Sequence, residues 1–274
     1  MLQFAYPYQT EETSKPLFSA KGSAKEIIPS LASFGYDGIE LLVRDAREAN
    51  LPYLLKLITE ENLKVASFAT GPMVADDQLS FSSLDKSYRD EAVKRIIDLI
   101  RWAEEFECSI TIGKLRGQIS DEQPRLSWEY MRQSFDRVLD AAEKRNVDIL
   151  IEPQNENHMN NFNRTDETMS FIQKFNHANV GVMLDCVHME AELRGSNFVQ
   201  LFHDAGDKLG FIHLTDSDRL MPGDGTYDIN AIVNNIRQLP RVPFVSFEIK
   251  QQNSSLAVAK KALKRVKSIW KEGV

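Results

Sequence analysis

The chain has 274 residues and a net charge of -7, with 42% hydrophobic and 27% charged residues, which is ordinary for a soluble globular protein. The acidic balance disfavours nucleic-acid binding, because contacts to a phosphate backbone rely on clustered Lys and Arg. No apolar run reaches the roughly 20 residues that span a bilayer, and residues 1–12 lack the basic and apolar regions of a signal peptide. The two cysteines, Cys108 and Cys186, have no ligand spacing, so the sequence predicts a cytoplasmic protein with reduced thiols.

Short apolar runs alternate with amphipathic stretches in the first half of the chain. The predicted strands are Leu2–Tyr6, Gly38–Val43, Lys64–Ala69 and Ser109–Ile112. The predicted helices are Ala24–Phe34, a helix capped by Asn50 that runs to about Glu61, and Asp85–Phe106. Residues 70–86 are predicted to form a long loop, and loops of that length are usually functional or mobile.

The same alternation continues in the second half. The predicted strands end at Glu152, Asp185, His213 and Glu248, within the segments Val147–Glu152, Val180–Asp185, Phe211–His213 and Pro243–Glu248. The predicted helices are Ser127–Arg145, Thr165–Asn176, Phe198–Ala205, Ile229–Gln238 and Ser255–Lys271. The lysine-rich face of the last helix is interpreted as a solvated outer face rather than a membrane-binding surface.

Eight strands alternating with eight helical stretches predict a parallel sheet closed into a (β/α)8 TIM barrel. No linker or shift in composition divides the chain, so residues 1–274 are predicted to form one domain. The alternative is an open doubly wound sheet. It is disfavoured because no Gly-x-Gly-x-x-Gly motif follows any predicted strand.

Four successive strands of the second half end on residues that bind metals or exchange protons. Glu152, Asp185, His213 and Glu248 are separated by 33, 28 and 35 residues, each about the length of one strand–helix repeat. In a barrel, the carboxyl ends of the strands form one mouth, where active sites lie. The spacing therefore predicts that these four side chains share one site.

Three carboxylates in a partly dry cavity repel one another and are driven toward protonation. A divalent cation removes that repulsion. Three carboxylates and one imidazole, without a thiolate, suit Mn²⁺, Mg²⁺ or Co²⁺ before Zn²⁺. The alternative to a metal site is an empty or proton-sharing cluster.

Several segments together resemble the xylose-isomerase-like barrel family of sugar isomerases and epimerases, and the resemblance covers nearly the whole chain. They are GYDGIELLVRD, IGKLRG, IEPQN, LDCVHM, HLTDSDRLMPGDG and FVSFE. Within the family the chain most resembles ketose 3-epimerases and keto-sugar-acid epimerases of the 5-keto-gluconate type.

The resemblance implies that Glu152, Asp185, His213 and Glu248 bind one divalent ion, with Mn²⁺ preferred. It also implies that Glu152 and Glu248 form an acid/base pair, which removes and returns a proton through an enediolate stabilised by the ion. Epimerisation and aldose–ketose isomerisation both fit this residue set.

The resemblance further implies that His188 and Arg219 hold substrate oxygens. His158 stands where the family often has an acid, which leaves the substrate and the reaction subtype open. Asn155, in the amide-rich loop after Glu152, and Glu40, on the second strand, are further candidate substrate contacts.

Two arginines follow predicted strands on the same rim. Arg44 and Arg116 are candidates to bind a substrate carboxylate through paired hydrogen bonds. The alternative is that both are ordinary surface or inter-loop arginines.

Competing functions are a keto-inositol dehydratase on the same metal site, an abasic-site endonuclease and a non-catalytic sugar-binding barrel. The endonuclease is disfavoured by the net charge and by the positions of His177 and His203 away from the strand ends. The predicted partner is a small-molecule sugar, without nucleic acid or membrane, and homo-oligomer formation is left open.

Overall fold

A computed structural model of the chain describes residues 2–175, 177–194, 197–241, 243–251 and 254–272. Eight parallel strands pair in chain order within these residues, and the last pairs with the first to close a barrel. The strands are β1 (Phe4–Gln9), β2 (Gly38–Leu42), β3 (Lys64–Ala69), β4 (Ser109–Ile112), β5 (Ile149–Ile151), β6 (Val180–Asp185), β7 (Leu209–His213) and β8 (Phe244–Ser246).

Helices lie between the strands and surround the barrel. They are α1 (Ala24–Phe34), α2 (Leu51–Glu60), α3 (Gly71–Asp77), α4 (Lys86–Glu105), α5 (Pro124–Glu143), α6 (Thr165–Ile172), α7 (Cys186–Leu193), α8 (Gln200–Ala205), α9 (Ile229–Arg237) and α10 (Ser255–Glu272). The predicted TIM barrel with alternating strands and helices is confirmed.

The structure contains two helices that the sequence did not predict. Helix α3 lies in the predicted loop 70–86, and its seven residues are too few to show a clear apolar period. Helix α7 begins directly after Asp185, whose carboxylate accepts a hydrogen bond from the Val187 backbone N–H and so caps the helix. The predicted helix Thr165–Asn176 ends at Ile172 in the structure, and Asn176 lies outside the described residues.

Strand boundaries differ most at β1, β5 and β8. The first strand begins at Phe4 and continues to Gln9, past the predicted end. The fifth strand covers three residues, and the eighth ends at Ser246 rather than at Glu248. Glu152 is therefore the first residue beyond its strand, and Glu248 is the second beyond its own.

The barrel interior below the mouth is filled by side chains from different strands. Ala5, Ala66, Leu150, Met183 and Phe211 form a buried cluster inside the barrel. Small residues facing large ones fill the interior of such a barrel, so the mouth has a closed apolar floor.

The outer helices bury one face and expose the other. In α10, Ala259, Leu263 and Val266 are buried, whereas the Lys residues at 260, 261 and 264 are exposed, as predicted for a solvated outer face. Among the described residues, none of the helices is both long and apolar enough to cross a membrane. Cys108 and Cys186 are both free thiols.

Candidate metal and active site

The four predicted strand-end residues lie together at the carboxyl ends of β5 to β8. One ligand atom each from Glu152, Asp185 and His213 lies within 4.8 Å of the other two. Glu248 Oε2 lies 3.2 Å from His213 Nδ1, so the fourth side chain reaches the same cluster. Three of the four are buried, and the Glu248 side chain is 24% exposed.

Glu40 fixes the orientation of the His213 ring. His213 Nε2 lies 3.0 and 3.1 Å from the two Glu40 oxygens, and Ser246 Oγ donates a further hydrogen bond of 2.7 Å to Glu40. An imidazole that donates from Nε2 keeps a lone pair on Nδ1, which is the usual arrangement of a metal-binding histidine. His213 Nδ1 is buried and makes no hydrogen bond, although Asp185 Oδ2 lies 3.3 Å away.

Arg219 enters the cluster from the loop after β7. Its Nη1 lies 2.6 Å from Asp185 Oδ2 and also pairs with Glu248 Oε2. Asp218 and Arg219 both have left-handed backbone conformations, with φ of 55° and 59°, which costs non-glycine residues on the order of 1–3 kcal/mol each. The loop holds this strained conformation and directs a cation at the carboxylates.

The carboxyl groups of the cluster differ in proton affinity. Burial, followed by the charges of Asp185 and Glu248, raises the pKa of Glu152 to about 7. Burial opposes ionisation of Asp185 and Glu248 as well, but the contributions that favour ionisation, of which the Arg219 charge is the largest, together lower the pKa of both. The environment thus separates one proton-holding glutamate from one ionised glutamate, a pattern typical of acid/base pairs.

Two residues next to Glu152, neither of them predicted, shape its position. Gln154 Nε2 donates a 2.5 Å hydrogen bond to Glu152 Oε2, and Gln154 Oε1 is buried without a partner. A Cβ atom at Gly113 would lie 2.5 Å from the same Glu152 oxygen, so only glycine leaves room for the carboxylate there. The signal for Gln154 was its position two residues after Glu152 in the quoted IEPQN segment.

His188 and Asn155 form a pair beside the cluster. Asn155 donates from Nδ2 and from its backbone N–H to His188 Nδ1, at 3.0 and 3.4 Å. His188 Nε2 lies 3.7 Å from Glu152 Oε1 and 3.4 Å from Arg219 Nη2. Burial lowers the pKa of His188 to about 4, so the ring is uncharged at neutral pH. The structure places Asn155 behind His188, and His158 packs edge-on against the His188 ring.

Three other predicted substrate contacts are engaged in hydrogen bonds or ion pairs within the protein. Arg116 is fully buried, and its guanidinium donates to Asn161 and to the carbonyl oxygens of Gly113 and Glu152. Arg44 pairs with Asp77 and Glu48. Both arginines use their donors within the protein, and Glu40 uses its oxygens for His213 and Ser246, so none of the three presents a free group to a substrate.

Glu152, His213 and Glu248 line a cavity of about 320 Å³ at the barrel mouth. Its walls include Phe18, Thr70, Val74, Thr111, Lys114 and Met183. A larger hollow of about 800 Å³ opens at the amino ends of the strands, but none of the four predicted ligands lines it. The mouth is therefore the candidate site, in agreement with the usual location of chemistry in this fold.

Comparison with known proteins defines the family. Residues 28–269 match the xylose isomerase-like TIM barrel, and the chain belongs to this family. An L-ribulose 3-epimerase of Methylomonas sp. (strain DH-1) is 28% identical over 235 residues, which cover 84% of this chain and 79% of the relative. A 3-dehydro-D-guloside 4-epimerase of Escherichia coli (strain K12) is 30% identical over 102 residues, or 37% of this chain and 38% of the relative.

Solved structures show the same fold. The D-allulose 3-epimerase from Methylomonas sp. in complex with D-allulose superposes with a TM-score of 0.76 and 21% identity over 98% of both chains. The 3-keto-D-glucoside 4-epimerase YcjR from E. coli superposes with a TM-score of 0.78 and 17% identity over 97% of this chain and 99% of the other.

Proposed function

We propose that the protein is a divalent-metal-dependent epimerase or isomerase of keto sugars, with Glu152 and Glu248 as its acid/base pair. The observation that carries the proposal is the convergence of both glutamates with Asp185 and His213 on one buried cluster at the barrel mouth. The names of the related proteins, among them L-ribulose 3-epimerase, support a ketose as the substrate.

The donor set fits a divalent ion. Glu152, Asp185, His213 and Glu248 would hold it, and the unpartnered lone pair of His213 Nδ1 faces the carboxylates. Carboxylate oxygens with one imidazole favour Mn²⁺, with Mg²⁺, Co²⁺ and Zn²⁺ as alternatives. A bound ion would act as a Lewis acid that stabilises negative charge developing on the substrate oxygens.

The glutamates perform the proton transfers. Because the pKa of Glu248 is lowered, Glu248 is the ionised base that removes a proton from the carbon next to the carbonyl. Glu152 delivers a proton to the opposite face of that carbon. The His188 ring and the Arg219 guanidinium orient the substrate oxygens through hydrogen bonds.

The test is a deuterium-exchange screen of ketoses in D₂O with added Mn²⁺, followed by NMR. The wild type should exchange one proton next to the carbonyl, and Glu248→Gln should abolish the exchange. Glu129→Gln removes an exposed carboxylate on α5 and serves as the matched control. Undiminished exchange by folded Glu248→Gln would remove Glu248 from the mechanism.

The product decides the reaction subtype. A C3- or C4-epimer indicates epimerisation, and an aldose indicates transfer of the proton to the neighbouring carbon. A product lighter by one water in mass spectrometry would instead assign the dehydratase reaction, which begins with the same proton removal.

A further inference from the structure

A second hollow of about 420 Å³ adjoins the candidate active-site cavity. Val74, Lys114 and His158 line both spaces. The second hollow lies between the segment after α3, residues 78–84, and the segment 117–120 after β4. The first cavity, at about 320 Å³, is near the lower limit of ligand pockets in general. A substrate can therefore extend past Lys114.

The second hollow is lined by a positive charge and, among the described residues, by no negative one. Of the described residues that line it, none is Asp or Glu, and Lys114 and His158 are its titratable groups. This is unusual for a chain with 40 acidic and 33 basic residues. Burial and the Lys114 charge lower the pKa of His158, so His158 is neutral at neutral pH and Lys114 provides the positive charge.

Lys114 also differs from the arginines near the rim. Within the part of the chain that the structure describes, no carboxylate forms an ion pair with Lys114. In contrast, Arg44 and Arg219 form ion pairs with carboxylates. The buried Arg116 donates hydrogen bonds to neighbouring loop atoms. Lys114 directly follows Gly113, whose Cα faces the Glu152 carboxylate. Lys114 is exposed and lines both the candidate active-site cavity and the second hollow.

We propose that the substrate is an anionic keto sugar, whose carboxylate or phosphate group occupies the second hollow and pairs with Lys114. This inference rests on the proposed function and names its substrate class. An ammonium group attracts an anionic group more strongly than a neutral hydroxyl, and an anion near three carboxylates needs a cation to offset their repulsion. An ammonium group pairs with carboxylate and phosphate alike as a point charge.

The test compares a neutral ketose with its carboxylate and phosphate derivatives in the Mn²⁺-loaded enzyme. For each, kcat/KM of proton exchange is measured in the wild type, Lys114→Gln and Lys114→Arg. The preference for one anionic substrate over the neutral ketose should fall about tenfold or more in Lys114→Gln, the usual effect of losing a charged hydrogen-bond partner. Lys114→Arg should restore much of it. The derivative with the larger loss identifies the anionic group.

Lys144→Gln is the matched control, because Lys144 is an exposed lysine that follows α5 at the opposite end of the barrel. An unchanged anion preference in Lys114→Gln, or a wild-type preference for the neutral ketose, would overturn the inference.

A binding measurement separates this inference from the proposed function. Calorimetric titration of both anionic derivatives into the wild type and Lys114→Gln reports the contribution of Lys114 without requiring turnover. If no sugar undergoes exchange, the proposed function fails. The anion-binding role of Lys114 still stands if Lys114→Gln weakens anion binding about tenfold, and it falls if binding is equal in the two proteins.

Discussion

The Glu40–His213 contact makes a quantitative prediction about metal affinity. Glu40 is 1% exposed, and both of its oxygens accept a hydrogen bond from His213 Nε2–H. Its Oε2 also accepts a hydrogen bond from Ser246 Oγ. In Glu40→Gln one oxygen becomes an NH₂ donor that faces the His213 N–H. The imidazole can accept this donor only by moving its own proton to Nδ1, and the lone pair that faces Asp185 and Glu248 is then lost.

Substitutions of such partners of metal-binding histidines typically cost 10–100-fold in metal affinity, which corresponds to about 1.4–2.8 kcal/mol. Competition between the protein and a fluorescent chelator for Mn²⁺ at pH 7 measures the loss. Ser246→Ala removes the other donor to Glu40 and leaves the His213 contact in place, so its loss should be smaller. If Glu40→Gln binds Mn²⁺ as tightly as the wild type while its melting temperature is unchanged, the assigned tautomer of His213 is wrong.

Three further predictions concern the same mouth. Gly113→Ala places a Cβ 2.5 Å from Glu152 Oε2, so exchange activity should fall about 100-fold, the usual effect of displacing a catalytic group. In the control Gly71→Ala the new Cβ would lie 3.6 Å from its nearest atom, so the activity should change far less. The carboxylate of Asp216 accepts three backbone N–H groups of the loop that carries Arg219, so Asp216→Ala should lower the free energy of unfolding by at least about 2 kcal/mol in a urea titration. The pKa of Glu152 rises from 4.5 to about 7 on folding. The free energy of unfolding of chelator-treated wild type should therefore fall by on the order of 3 kcal/mol, relative to that of Glu152→Gln, as the pH rises from about 4.5 to 7. Equal pH profiles of unfolding for the two proteins would contradict the raised pKa.

The strand ends could be predicted because a parallel barrel repeats one local pattern. Each apolar run followed by a polar residue fixes a strand, its direction and its last side chain. Fold closure then brings Glu152, Asp185 and His213 together, although 61 residues separate the first from the last. Local sequence was sufficient here, since the topology itself supplies the long-range contact.

The roles of Glu40 and Arg116 could not be predicted from the local sequence. Glu40 contacts His213 across 173 residues, and nothing in its own segment distinguishes a histidine partner from a substrate. Arg116 looked like a rim cation, but its guanidinium is buried between the segments that follow β4 and β5, where backbone carbonyls and Asn161 accept its N–H groups. In both cases the assignment depends on side-chain contacts between distant segments.

Charge compensation connects these observations. Asp185 and Glu248 remain ionised in a buried cluster because the Arg219 charge favours their carboxylates. The nearest partner of Glu152 is the Gln154 amide and not a cation, and the pKa of Glu152 is raised. Arg44 is committed to ion pairs and Arg116 to structural hydrogen bonds, which leaves Lys114 as the cation at the entrance without a carboxylate partner among the described residues. A substrate that brings its own negative charge completes this balance, whereas a neutral sugar leaves it incomplete, and this difference is the physical basis for expecting an anionic keto sugar.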